Sequence, residues 1–412
     1  MAPRDPRTGS AGGAFHSILA AGLVLFPTVG AASKQAMAPI AIALAVILLV
    51  ATLRIDARAA LPGRAAGLLF AGFAGYVAAF HLPPALGDGG VGETIVKMGM
   101  LAVVLWLVSA GWITRVAPEC LARIALWALA ALAAGSGFLL IELLFDSPMH
   151  RLVNHLGPDV VVDSARHNRP TVALLLLSLP LSALLARQIG RSHAVLALAL
   201  GAIPAFAGDS AAGALAALVA AVVYPIARWR PGAVLAAGAV VTVALVVAAP
   251  PLLSSAYRLV VQHDITMPMS FRDRLEIWDH GADAVADAPW IGRGLGAVKL
   301  LPMTEERRTQ YIFHKAPSTH AHNAALQIWI EFGAVGIGLG LALLGVGAAA
   351  IGRMDRSARP AALSTAAALL VIAMLSFGVW QETWLGLIAV TLLLVRLAAL
   401  PTAWASPGDV GS

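Results

Sequence analysis

The chain has 412 residues, 59% of them hydrophobic and 12% charged, with a mean hydropathy of +0.82. Soluble domains carry roughly 25% charged residues, so a deficit spread over nearly the whole length excludes a soluble globular protein and points to a polytopic integral membrane protein. The net charge of +6 has no soluble basic face to act through, which excludes nucleic acid as a partner, and the single cysteine, Cys120, excludes an intramolecular disulfide.

The apolar runs are rich in Ala, Leu, Val and Gly, about 16–25 residues long, and do not alternate, so they predict helices rather than barrel strands. Arg4 and Arg7 precede the first run, and Ala31-Ala32-Ser33 looks like a signal-peptide cleavage site. An uncleaved first span makes every later loop consistent and is the reading taken. Twelve spans follow, at 16–33, 36–53, 63–82, 96–114, 121–145, 170–187, 194–208, 210–227, 232–253, 323–351, 361–380 and 383–400. With the N-terminus inside, Arg54, Arg58, Arg115, Arg123, Arg187, Arg191, Arg228, Arg230, Arg353, Arg356 and Arg359 all fall on the cytoplasmic side. The connections at 83–93 and 381–382 carry no positive charge, and Lys34 is the lone cation of the turn at 34–35.

Nine spans with a short outer loop at 146–169 therefore occupy 1–253, a large outer loop 254–322, three further spans 323–400, and a cytoplasmic tail 401–412 that reads as disordered from Ser406. In the large loop, Ser270 can cap a helix through about residue 286. Phe271, Leu275, Trp278, Ala282 and Val285 form an apolar stripe on it, while Glu276, Asp279, His280, Asp283 and Asp287 fill the polar side. Such a helix should lie on the membrane surface or on the outer helix ends.

The polar groups with chemical capacity gather in the outer segments. His322 follows Ser318, Thr319 and His320 and adjoins Asn323, a capping residue at the mouth of span ten. A helix N-terminus disfavours the charged imidazole, and a neutral ring is a usable general base. Taken alone, a histidine there is equally readable as an interfacial residue. Glycines 333, 336 and 340 share its helix face and should allow close packing beneath it. Histidines two apart do not share a helix face, so His320 and His322 are not read as a metal pair. Arg166, Arg169, Arg272 and Arg274, with Lys34, can hold phosphate oxygens at the outer boundary or contact lipid headgroups. Asp279, Asp283 and Asp287 read as a solvated face, and Gly292-x-Gly294-x-Gly296 as a loop rather than a phosphate cradle. Glu331 is an intramembrane carboxylate on the opposite face from His322, and Glu142 and Asp209 read as structural.

Two blocks resemble the O-antigen ligase and polymerase superfamily. One is Arg274-Leu-Glu-Ile-Trp278 continuing to Pro289-Trp-Ile-Gly292-Arg-Gly294. The other is His322-Asn323 followed by Glu331-Phe-Gly333-x-x-Gly336. Asn168-Arg169 is similar to a segment of the ligase branch. The resemblance implies transfer of a glycan from undecaprenyl pyrophosphate to a lipid A core sugar, in the bacterial inner membrane with the site facing the periplasm. It implies His322, Arg274 and Arg169 as catalytic residues. Lys34, Arg166, Arg272, Trp278, His320, Asn323 and Glu331 are expected to bind substrate, with neither metal nor cofactor. The competing readings are a polymerase of the same superfamily and a twelve-span transporter, the latter disfavoured by the absence of a half-repeat.

Overall fold

The computed structural model describes residues 6–81, 91–157 and 159–401, with side chains from residue 13. Arg4, most of the connection at 83–93 and the tail from 402 lie outside the described residues. Among the described residues, 79% are helical and none is in a strand. The helices are α1 (Pro6–Ala32), α2 (Met37–Ile55), α3 (Arg64–Phe80), α4 (Val91–Ser109), α5 (Pro118–Leu144), α6 (Pro148–Val153), α7 (Asn168–Gln188) and α8 (Arg191–Ala207). They continue as α9 (Ala211–Trp229), α10 (Pro231–Val247), α11 (Ala249–Gln262), α12 (Met269–Asp287), α13 (Glu305–Gln310), α14 (Ala324–Gly352), α15 (Arg359–Leu375) and α16 (Glu382–Ala398).

By length and composition, seven of these helices can cross a membrane, or eight with the bent pair α10–α11. Three shorter apolar helices, α3, α8 and α15, lie where further spans are expected but are not by themselves long enough to meet the same criterion. The centre is α7, buried along almost its whole length between α5, α8 and α16. Its leucines share one core with Phe15, Leu19, Leu23 and Phe26 of α1 and with Leu387, Val390 and Leu394 of α16.

Three departures from the predicted helices shape the site. The span expected at 232–253 is not straight: it turns by 71° at Ala248. Pro250 and Pro251 lack the N–H groups that would continue the ladder, so a second helix starts there instead. The span expected at 361–380 ends at Leu375, and residues 376–381 form a loop. Finally, α14 is interrupted at Gly333, whose φ of 59° and ψ of −156° are open to glycine but not to a bulky L-residue.

The interruption is filled by main chain from forty residues upstream. The N–H groups of Arg293 and Gly294 donate to the carbonyls of Ile330 (2.8 Å) and Glu331 (2.9 Å). Those of Ala334 and Val335 donate to Pro289 (2.8 Å) and Trp290 (3.2 Å). Backbone groups freed by a helix break must find partners, and here one segment satisfies both sides. The approach tolerates no Cβ: on Gly292 it would sit 2.4 Å from the Glu331 carbonyl carbon, and on Gly333 2.5 Å from that of Trp290. Tyr76 clamps the junction, its hydroxyl 2.7 Å from the Ile291 carbonyl oxygen and 3.1 Å from that of Phe332. Gly333 therefore seats a loop rather than a neighbouring helix, and a Cβ on Gly340 would meet nothing within 4 Å.

Of the two positions expected for α12, a membrane surface or the ends of other helices, the packing matches the second. The α12 stripe of Leu275, Trp278 and Val285 packs on Tyr257 and Val260 of α11 and on Leu326 and Ile330 of α14. Its polar side is buried too, beneath residues 302–314. Glu276 accepts from the N–H groups of Ile312 (3.1 Å), Phe313 (2.8 Å) and His314 (2.9 Å) and from Nε of Arg272 (3.1 Å). Asp279 accepts from Ser254 (2.7 Å) and Tyr311 (2.9 Å), and His280 is bonded to His314 (3.0 Å). Reading Asp279 as solvated is thereby corrected: an irregular strap has N–H and O–H groups to satisfy, and the carboxylates of α12 satisfy them. Asp283 and Asp287 do face outward, paired with Arg307 and Arg293. Pro268, not Ser270, occupies the N-cap position of α12.

Candidate active site

The loop before α14 is built around an unusual backbone. His322 has φ of +53°, a left-handed conformation that costs a non-glycine residue about 1–2 kcal/mol, so its surroundings must hold it. On one side, Nε1 of Trp278 donates to the carbonyl of Ala321 (2.8 Å). On the other, Asn323 caps α14 by accepting from the N–H of Leu326 (2.9 Å), while its amide donates to the Met374 carbonyl (3.0 Å). The His322 ring itself is fixed by Nδ1–H donating to the carbonyl of Ser376 (2.9 Å). A carbonyl oxygen only accepts, so Nδ1 carries the proton and Nε2 carries the lone pair.

The His320 ring lies against that of His322, with centroids 4.0 Å apart and planes tilted by 45°. Its Nε2 faces the side-chain amide nitrogen of Gln381 at 3.2 Å, and its Nδ1 faces Thr319 Oγ1 at 2.9 Å. The Gln381 amide also lies 3.5 Å from Nδ1, so it sits over the ring face; each of the two rings thus has one nitrogen bonded in its plane, Nδ1 to Thr319 in His320 and Nδ1 to Ser376 in His322. Burial lowers both pKa values, and Arg169 and Arg274 lower them further. The neighbouring His322 ring helps push His320 down to about 3, and the Ser376 bond partly opposes the shift of His322.

The cations arrive from three other parts of the chain. Arg274 lies on α12, one turn before Trp278. Arg169 stands in the first turn of α7 with its guanidinium 5.9 Å from the centre of the Phe377 ring. Lys34, in the short 3₁₀ turn Lys34–Ala36, lies in the electrostatic field of Arg169 and Arg166. Its carbonyl accepts from Thr383 at the start of α16 (3.2 Å). Among the described residues, Lys34, Arg166, Arg169 and Arg274 make no ion pair within 4.0 Å. Clustered cations raise each other's energy, and the carboxylates that act on them (Asp273 on Arg274, Glu142 and Asp163 on Arg166, Asp163 on Lys34) close no ion pair, so the cluster favours an anion.

Other expected site residues go elsewhere. Arg272 is committed to Glu276 and to the face of Tyr257, 5.4 Å from its centre, so of the two loop arginines Arg274 is the one left open. Trp278 is 3% exposed and holds the histidine loop from behind. Glu331 is fully buried, accepting from Gln327 (3.0 Å) and from the indole N–H of Trp380, and does not adjoin His322. Glu142 caps α6 through the N–H of Met149 (2.7 Å). No group of three potential metal ligands occurs among the described residues.

The residues missed by sequence reading are those of the loop 376–381. Ser376 orients His322, Phe377 underlies Arg169, the N–H of Val379 donates to Gln327 (3.1 Å), Trp380 reaches Glu331, and Gln381 meets His320. The available signal was Ser376 and Gly378 interrupting an apolar run just before Gln381.

Fold and site together define a membrane protein, all-helical over the described residues, with a cluster of cations around a neutral imidazole. In comparison with known proteins, residues 194–341 of the chain are similar to the O-antigen ligase family model. A protein of Rickettsia bellii (strain RML369-C), provisionally named a polysaccharide ligase, is 28% identical over 141 residues, 33% of this chain and 34% of its own length. One of Rickettsia felis (strain ATCC VR-1525 / URRWXCal2) bearing the same name is 30% identical over 132 residues, 31% of this chain and 32% of its own. The matches span about a third of either relative. Arg274 and His322 lie inside the family-matched stretch, whereas Lys34, Arg166, Arg169 and the 376–381 loop lie outside it.

Proposed function

We propose that this protein is a glycosyltransferase of the bacterial inner membrane. It moves a glycan from undecaprenyl pyrophosphate to a sugar of the lipid A core at the periplasmic face. The observation that carries this reading is one imidazole nitrogen of His322 left free in the field of two guanidinium groups, Arg169 and Arg274, that close no ion pair. The family match over 194–341 and the names of the Rickettsia relatives support the ligase class. The arrangement of twelve spans, with residues 254–322 outside, remains part of the proposal.

Nε2 of His322 takes the proton of the acceptor hydroxyl, whose oxygen bonds to the anomeric carbon as the bond from that carbon to the pyrophosphate oxygen breaks. The electron pair leaves with undecaprenyl pyrophosphate. Arg169 and Arg274 stabilise the growing negative charge, with Lys34 and Arg166 assisting. Attack opposite the leaving group inverts the anomeric centre. Binding two lipid-anchored substrates at one boundary removes much of the entropic barrier. The pyrophosphate is a good leaving group and fixed cations neutralise it, so the transfer is proposed to need no divalent ion.

Reconstitution with lipid-linked donor and either lipid A core or a second lipid-linked repeat tests the reading. Transfer to the core alone supports the ligase, and transfer to the repeat alone makes the protein a polymerase. His322→Ala should lose at least a hundredfold in turnover while donor binding survives, and Arg274→Lys should lose the bidentate contact. A His322→Ala enzyme at full rate refutes the proposal, as would substrate uptake without any transfer.

A further inference from the structure

Three consecutive residues of the loop 376–381 touch three different parts of the site. The Ser376 carbonyl accepts from Nδ1 of His322 (2.9 Å). Gly378 lies so close to His320 that a Cβ on it would come within 2.7 Å of the histidine Cβ. Between them, the Phe377 ring lies beneath Arg169, with the guanidinium carbon 5.9 Å from the ring centre. Among the described residues, the Arg169 guanidinium makes no hydrogen bond and no ion pair, so this ring is the group that meets it. The backbone of Arg169 is secured elsewhere: it stands in the first turn of α7, two residues after His167, whose Nε2 faces the Ser147 hydroxyl at 2.9 Å. A long side chain on a fixed backbone still has many rotamers to lose, and what narrows them here is the ring.

Phe377 is itself fixed. It is buried, and its ring stacks on Trp384 of α16 with centroids 4.9 Å apart and planes 9° from parallel. An aromatic face attracts a guanidinium within about 6 Å. A carboxylate would hold Arg169 more firmly, but it would also cancel the charge needed against a diphosphate, as Glu276 does for Arg272. A ring restrains the cation and leaves its charge to the substrate. We propose that Phe377 is a positioning residue for the transfer reaction: its ring, pinned on Trp384, holds the Arg169 guanidinium in place for a diphosphate without neutralising it. Because Ser376 orients His322 one residue earlier, the same short loop sets the spacing of base and cation. The inference rests on the reading of the pocket as a glycan-transfer site.

The test uses the full-length protein in proteoliposomes, with Phe377 replaced by phenylalanine carrying one, two or three ring fluorines. Fluorine draws electron density from the ring face and hardly changes its shape, so it weakens the attraction for a cation while keeping the packing. Two quantities are read: the affinity for undecaprenyl pyrophosphate, and kcat/KM for transfer from lipid-linked donor. Both should fall stepwise with fluorine number, by roughly 2- to 30-fold over the series. In an Arg169→Gln background the residual values should not follow fluorine number, which separates the cation from any effect on the Trp384 stack. Phe377→Leu should fall at least as far as the trifluoro variant. A ring that merely packs would respond to leucine and not to fluorine. A flat fluorine series overturns the proposal, as does the same slope with and without Arg169. If the leucine variant does not fold, the fluorine series decides alone. A wild type that binds undecaprenyl pyrophosphate but transfers nothing to any acceptor would instead remove the transfer reading, and the slope in affinity would still judge Phe377.

Discussion

Trp278→Phe tests the tether at the histidine loop. The substitution keeps an aromatic ring against Phe271, whose ring centre is 6.1 Å away, and removes the N–H that donates to Ala321 together with one ring of the buried indole, so a loss of packing adds to the loss of the hydrogen bond. Ala321 is fully buried, so its carbonyl would lose its side-chain partner away from water, at a cost of about 1–3 kcal/mol. The adjacent left-handed His322 adds strain that nothing else on that side opposes. If the loop relaxes to relieve both, the imidazole leaves its catalytic position, and about 1–3 kcal/mol corresponds to a roughly 5- to 150-fold fall in kcat. Donor KM should hardly change, because Arg169 and Arg274 are untouched. Initial rates of transfer in proteoliposomes, with a parallel thermal unfolding curve in detergent, provide the measurement. A variant within twofold of the wild type in kcat, at unchanged melting temperature, would show that Trp278 does not hold the loop.

Three further outcomes follow from the same geometry. Burial and two neighbouring cations keep the His322 pKa below its ordinary 6.5. The base works when neutral and fails as pH falls through that depressed value, so the midpoint of the acid limb of kcat/KM should lie below that of an unperturbed imidazole. Glu331→Gln sets an amide donor against one of two donors, Gln327 and Trp380. It should lower stability by about 1–3 kcal/mol, read as a drop in melting temperature, and loosen loop 376–381; an unchanged curve would argue that this network is not stabilising. Asn323→Ala should cost about 1 kcal/mol through loss of the cap. Asn323→Asp keeps the cap and loses only the donation to Met374, so it should melt between the alanine variant and the wild type.

Much of the fold is legible in the chain. The 4-3-4-3 spacing from Phe271 to Val285 marks α12, Asn323 marks the start of α14, and the apolar runs mark the long helices. Pro250 and Pro251 announce the bend at Ala248, but a hydropathy window averages across them. The same averaging hides loop 376–381, since Phe377, Val379 and Trp380 are as apolar as the helix before them. Polarity along α12 is visible, yet whether Glu276 and Asp279 meet water or a strap depends on residues 302–314, which follow no pattern that points back to them. At the site, the motifs bring forward His322, Arg274 and Arg169. Which member of a pair is free is a matter of partners, and a partner such as Glu276 for Arg272 emerges only in three dimensions.

The break in α14 has a consequence for biogenesis. Residues 289–294 leave the ribosome about forty residues ahead of the carbonyls and amides they must bond. Until that later helix has entered the bilayer, the earlier segment has no complement, and the helix alone would expose unpaired peptide groups to lipid, at several kcal/mol each. Maturation of the large connecting segment is therefore gated by membrane insertion of the helix that follows it. Truncation just before Ala324 should strand the preceding region in a protease-sensitive form, even though every residue of it has already been made.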